Sequence, residues 1–105
     1  SSEARAAIAD PANDVLVSAA TVWEIEIKRE LGKLQAPDGL VDTVHSADLG
    51  SLPILLRDAE AAARLIDHHR DPFDRMLVAQ AQRLEAILVT RDDVFGWYGI
   101  DSLRA

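Results

Sequence analysis

Three carboxylates in this chain, Glu24, Asp74 and Asp92, occupy places where acidic side chains can work together. Asp74 follows Pro72 in the first turn of a predicted helix, with Leu77 and Val78 three and four residues on. That spacing puts its carboxylate over an apolar face and near the positive end of the helix. Asp92 comes just after the apolar run from Ala86 to Val89, which reads as a strand, and open parallel sheets hold their ligands beyond the carboxyl ends of strands. Glu24 is predicted in the opening turn of a helix that also follows a strand, Val15 to Ser18, which assigns it to the same sheet edge. Carboxylates gathered at one edge repel each other, and a shared proton or a hard divalent cation relieves the repulsion. Mg²⁺ or Mn²⁺ suits oxygen ligands and keeps several waters. Such an ion can activate a water and offset charge on a phosphodiester oxygen.

Each acid also has a plain structural reading. Asp74 near a helix N-terminus can be a dipole partner or a cap. Asp92 followed by Asp93 can be ordinary turn chemistry. Glu24 can pair with Lys28 at i, i+4 on a solvated face. The adjacent His68 and His69 cannot both face one ion from regular structure, and they read as a polar surface loop. Trp97 and Tyr98 could stack bases, but with 5% aromatics in the chain they read better as core cover. Lys28, Arg29, Lys33, Arg70, Arg75 and Arg91 flank the acidic positions, where some of them could guide a phosphate.

The elements that would position these groups alternate. A short helix over Glu3 to Ala9, capped by Ser2, ends at Asp10-Pro11. A buried strand from Val15 to Ser18 leads into a helix from Thr21 to Leu31, with Trp23, Ile27 and Leu31 on one stripe and Gly32 at its end. Leu40 to Ser46 reads as a helix, Leu52 to Leu55 as a short strand, and Asp58 to Leu65 as an alanine-rich helix. Pro72 opens a helix to about Leu84, with Met76, Leu77, Ala81 and Leu84 as its apolar side, and a final short strand closes the chain. Strands alternating with helices predict a parallel α/β sheet.

With 105 residues, 49% of them hydrophobic, the chain is sized for one domain with one core. Its formal net charge of −7 excludes gripping nucleic acid by an overall basic field. Without cysteine there is no disulfide, thiolate metal site or cysteine nucleophile. No apolar run is long enough to cross a bilayer and the N-terminus has no signal-peptide pattern, so the expectation is a cytoplasmic protein without a membrane partner.

Three ordered blocks resemble the VapC toxins, PIN-domain ribonucleases of type II toxin–antitoxin systems. The first is Ser18-Ala19-Ala20-Thr21-Val22-Trp23-Glu24-Ile25 with Lys28-Arg29 and Leu31-Gly32-Lys33-Leu34. The second runs from His68 through Asp71-Pro72-Phe73-Asp74-Arg75 to Ala81, and the third is Leu88-Val89-Thr90-Arg91-Asp92 followed by Phe95 and Tyr98-Gly99. The resemblance implies a PIN-like, three-layer α/β/α fold with a mostly parallel sheet, and Mg²⁺- or Mn²⁺-dependent cleavage of RNA. By motif, Glu24, Asp74 and Asp92 take three places of the family's acidic quartet, as catalytic and metal-binding residues. Thr90 matches a polar residue that supports the site, and Asp71 a recurring acid that supports it or caps a helix. The family's short opening strand, with its aspartate, and the helix after it have no counterpart here, so the resemblance implies a single PIN-like domain over residues 1–105 that is truncated at its N-terminus.

The resulting expectation is an endoribonuclease toxin that takes RNA as substrate, with Lys28, Arg75 and Arg91 as its candidate RNA-binding residues, forms a homodimer and is neutralised by a cognate VapB-like antitoxin. The alternative is a catalytically inactive PIN-like module that binds an antitoxin or another protein, with its acids serving as salt-bridge partners.

Overall fold

The computed structural model describes residues 1–66, 71–91 and 98–105. They fall into two compact units, one made of Ser1–Asn13 with Leu55–Ala105 and the other of Asp14–Ile54.

In the Asp14–Ile54 unit, strands β1 (Leu16–Ser18) and β2 (Gly50–Leu52) pair in parallel, with Leu16 opposite Gly50 and Ser18 opposite Leu52. A parallel pair needs a long crossover, and helices α2 (Ala19–Glu30) and α3 (Leu40–Ser46) supply it. Ser18 has two jobs: it ends β1, and its Oγ accepts the Ala20 N–H at 3.1 Å as the cap of α2. The helix therefore starts two residues before the expected Thr21, which moves Glu24 from the opening turn into the second.

The other end of α2 behaves as its glycine predicts. Gly32, at φ +70°, lets its own N–H reach the Arg29 carbonyl at 3.0 Å and the Lys33 N–H reach the Lys28 carbonyl at 2.9 Å. This pair of bonds stops the helix. The Trp23–Ile27–Leu31 stripe is not its buried face: Trp23 is 60% and Leu31 63% exposed. The buried residue is Ala20, in the turn next to β1. Strand β2 lies earlier than the expected Leu52 to Leu55, because Pro53 has no N–H to continue a ladder.

In the Ser1–Asn13 and Leu55–Ala105 unit, α1 (Ser2–Ala9) is capped by Ser1 rather than Ser2, through the Ala4 N–H at 3.2 Å. The same Ser1 hydroxyl donates to the Arg104 carbonyl at 2.5 Å and so ties α1 to strand β4 (Ser102–Arg104). Strand β3 (Leu88–Thr90) pairs with β4 in parallel, Leu88 opposite Ser102 and Thr90 opposite Arg104. Helices α4 (Leu56–Arg64) and α5 (Pro72–Leu84) pack together.

The bounds of α5 are those the sequence predicts, but its buried side is different. Val78, Ala79, Gln80 and Ala81 are buried, whereas of the expected Met76, Leu77, Ala81 and Leu84 only Ala81 is. The reason is that α4 covers a partly polar stripe of α5. Arg75 and Arg83 both bond to α4 or to the residue after it, and Ala79 lies between them at i+4 spacing. Hydrophobic periodicity alone cannot find such a face.

Candidate active site

Asp74 is the third residue of α5 and half-buried. Asp71 caps that helix, with Oδ1 accepting from the Phe73 N–H at 2.9 Å and the Asp74 N–H at 3.4 Å. Pro72 at the first helical position fits there because its missing N–H is one the helix would leave unpaired. The Asp74 backbone is thus held by the cap, and its carboxylate belongs to the turn where the helix dipole favours negative charge. Asp71 therefore serves as the N-cap of α5.

Arg75, a candidate RNA contact, has work inside the fold. Its Nε donates to the Ala62 carbonyl at 3.1 Å and its Nη2 to the Leu65 carbonyl at 2.8 Å. Both acceptors belong to the C-terminal end of α4, whose last carbonyls have no helical partner. Arg75 therefore clamps the end of α4 to the first turn of α5, beside Asp74.

Thr90 is the last residue of β3 and half-buried, and its carbonyl accepts the Ala105 N–H at 3.0 Å. Arg91 is exposed just beyond it. Asp92 lies outside the described residues, as do Asp93, His68, His69, Arg70, Phe95 and Trp97. Tyr98 is half-buried, and its carbonyl accepts from the Gln82 Nε2 at 3.2 Å.

Glu24 stands in the Asp14–Ile54 unit, in the second turn of α2, with a side chain 21% exposed. Its Oε2 accepts from Lys28 Nζ at 3.2 Å, the i, i+4 pair that the spacing allows. One turn on, Arg29 is held by two carboxylates, Glu26 and Asp38. These bonds, Glu26 first and then Asp38, raise the guanidinium pKa above its ordinary value.

Among the described residues, one buried ion pair has no signal in the sequence. Asp58 is 1% exposed and forms two bonds with Arg83, Nε to Oδ1 at 2.6 Å and Nη2 to Oδ2 at 3.1 Å. Its Oδ2 also accepts the Leu55 N–H at 3.0 Å and so caps α4. The Arg83 hydrogen bonds hold the Asp58 carboxyl below its usual value, against a burial that pushes it up. The two residues are 25 apart in the chain, so no local spacing signals the pair.

A family model for the PIN domain matches residues 1–99. The chain belongs to the PIN domain family. No curated protein and no solved structure matches it in the other two comparisons. Helices joined to short parallel strands accord with the PIN-like α/β/α class expected from the sequence. PIN domains are generally nucleases and typically use divalent metals. The donors of this PIN domain suit such an ion in kind, since Glu24 and Asp74 offer carboxylate oxygens of the sort Mg²⁺ and Mn²⁺ prefer. Among the described residues, no three His, Cys, Asp or Glu side chains are grouped to hold a metal, and Asp92 stands outside that set. No helix among the described residues is long and apolar enough to cross a membrane.

Proposed function

We propose that this PIN domain is a Mg²⁺- or Mn²⁺-dependent endoribonuclease, the toxin of a VapBC-type pair, with Glu24, Asp74 and Asp92 as its catalytic and metal-binding acids. The observation that carries the reading is the family match over residues 1–99, within which each of the three VapC-like blocks contributes one of these acids. A bound divalent ion supplies an activated water and offsets charge on the phosphodiester. The chain's own part is to hold the acids: the Asp71 cap fixes the backbone of Asp74, and the Ser18 cap fixes the start of the helix that carries Glu24.

Thr90 supports the site from the end of β3 in this reading, and Lys28 and Arg91 offer positive charge to the phosphates. An antitoxin arginine would satisfy the same acids when the toxin is silenced. The chain works in the cytoplasm, as a homodimer when free of its partner.

The test is cleavage of a mixed RNA pool by the purified chain with Mg²⁺ or Mn²⁺, with EDTA, and with Glu24→Gln, Asp74→Asn and Asp92→Asn. Cleavage that needs the metal and all three acids is the expected result. Antitoxin binding without any metal-dependent cleavage would instead favour the inactive, partner-binding module.

A further inference from the structure

Helix α2 carries two acid–base pairs that differ in how firmly they are held. Arg29 is gripped by Glu26 on its own helix and by Asp38 in the loop beyond it, so neither carboxylate can release it alone. Lys28 makes a single 3.2 Å contact with Glu24, and its side chain is 52% exposed. Among the described residues, Lys28 is the one ion-pair partner of Glu24. An exposed lysine held at one point can swing into water at little cost, since such pairs add little stability and its flexible stem gains rotamer freedom. A favourable place also waits for it, because Lys28 lies in the last turn of α2, where the helix dipole favours cations.

We propose that Lys28 is a built-in counter-ion to Glu24 that competes with the divalent cation. It neutralises the carboxylate while no cation is bound, and it releases Glu24 when one arrives. This rests on the proposed metal-binding role of Glu24, and it goes further by giving the neighbouring lysine an opposing role at the same carboxylate. Two positive charges cannot share one carboxylate without repelling each other. Cation binding and the Lys28–Glu24 pair therefore exclude or weaken one another, and each must register in the other's behaviour.

The chain has two lysines, Lys28 and Lys33, so Lys33, just past the end of α2, serves as an internal reference. The experiment follows acetylation of both amines in the full chain by peptide mass spectrometry, across a Mg²⁺ titration. Lys28 is expected to label severalfold faster relative to Lys33 as Mg²⁺ is added, because an amine released from Glu24 is more accessible to the reagent. Mn²⁺ titration calorimetry supplies the reciprocal measurement. Lys28→Gln should bind about twofold more tightly than wild type, the scale of an exposed i, i+4 pair, and Lys33→Gln should change affinity less.

A labelling ratio that does not respond to Mg²⁺, or a Lys28→Gln variant that binds Mn²⁺ no better than Lys33→Gln, overturns the proposal. Glu24→Gln separates the two ideas. If it weakens Mn²⁺ binding while Lys28→Gln fails to strengthen it, only the counter-ion role falls. If Glu24→Gln binds as wild type does, or if no form of the chain binds Mn²⁺, the metal-binding role of Glu24 falls and the proposal with it.

Discussion

Arg83 lays its guanidinium along the Asp58 carboxylate with contacts of 2.6 and 3.1 Å, joining the last turn of α5 to the first turn of α4. Because Asp58 is 1% exposed, removing Arg83 strands a charge that water cannot reach. Breaking a buried pair from one side costs more than replacing both partners. Arg83→Met should therefore lower Tm by on the order of 5 °C or more. The double variant Asp58→Leu with Arg83→Met should recover much of that loss. Equal Tm values for the single and double variants would mean that the unpaired Asp58 carboxylate carries no penalty of its own.

The same contact sets a pH dependence. The Arg83 bonds lower the Asp58 pKa in the folded chain, so the carboxylate contributes stability above its unfolded value of about 4. That contribution falls away as pH drops through the depressed folded value. Acid denaturation followed by circular dichroism should show wild type losing stability below about pH 4, and Arg83→Met should lose less over the same window. Parallel curves for the two proteins would detach the acid sensitivity from Asp58.

The contrast between this pair and the helix bounds shows what the sequence makes legible. Helices α3 and α5 have the limits predicted for them, because Gly39, Pro72 and the Asp71 cap mark their starts in local sequence. Strand β2 was expected around Pro53 and lies before it, since a residue without an N–H ends the ladder. The start of α2 was missed because Ser18 serves strand and helix at once. The Asp58–Arg83 pair and the burial of Gln80 depend on contact between distant segments, which periodicity does not encode. For the candidate site, the place of Asp74 in its first turn was legible and so was the Glu24–Lys28 spacing. Whether the acids gather is a matter of tertiary contact, and no local pattern states it.

Asp71 offers a separation of capping from chemistry. Its two bonds to the N–H groups of Phe73 and Asp74 make it the N-cap of α5, and loss of such a cap costs about 1 kcal/mol. Asp71→Ala should be destabilised by that amount in urea unfolding. Asp71→Ser, which keeps a capping oxygen, should restore stability. If Asp71 acts only through the cap, Asp71→Ser should also restore any metal-dependent cleavage. Stability restored without cleavage would assign the Asp71 carboxylate a role in the site itself.

Arg75 was a candidate for RNA binding, and its bonds to the Ala62 and Leu65 carbonyls predict a different signature. A lysine has one nitrogen and cannot span both acceptors as the planar fork does. Arg75→Lys should cost about 1 kcal/mol of stability, although the charge is kept. Arg75→Gln should leave the salt dependence of RNA affinity unchanged, whereas loss of a phosphate contact would lower the log–log slope by about one. A reduced slope in Arg75→Gln would return Arg75 to the RNA-binding set.

The proposed chemistry makes its sharpest demand at Asp74, because a structural and a catalytic carboxylate there predict opposite balances of stability and activity. As a dipole partner in the first turn of α5, Asp74 contributes about 0.3–1 kcal/mol, and an asparagine in its place keeps the shape while losing the charge. If that is its whole role, Asp74→Asn should melt slightly below wild type and cleave RNA as well as wild type does. If the carboxylate holds a divalent ion, Asp74→Asn should lose at least about a hundredfold in Mg²⁺-dependent cleavage, in line with the two to three orders of magnitude that loss of one charge-stabilising group costs elsewhere. Its Tm should stay within a few degrees, or rise, since relief of repulsion among the acids would offset the lost dipole contact. Cleavage that survives Asp74→Asn undiminished would remove Asp74 from the site.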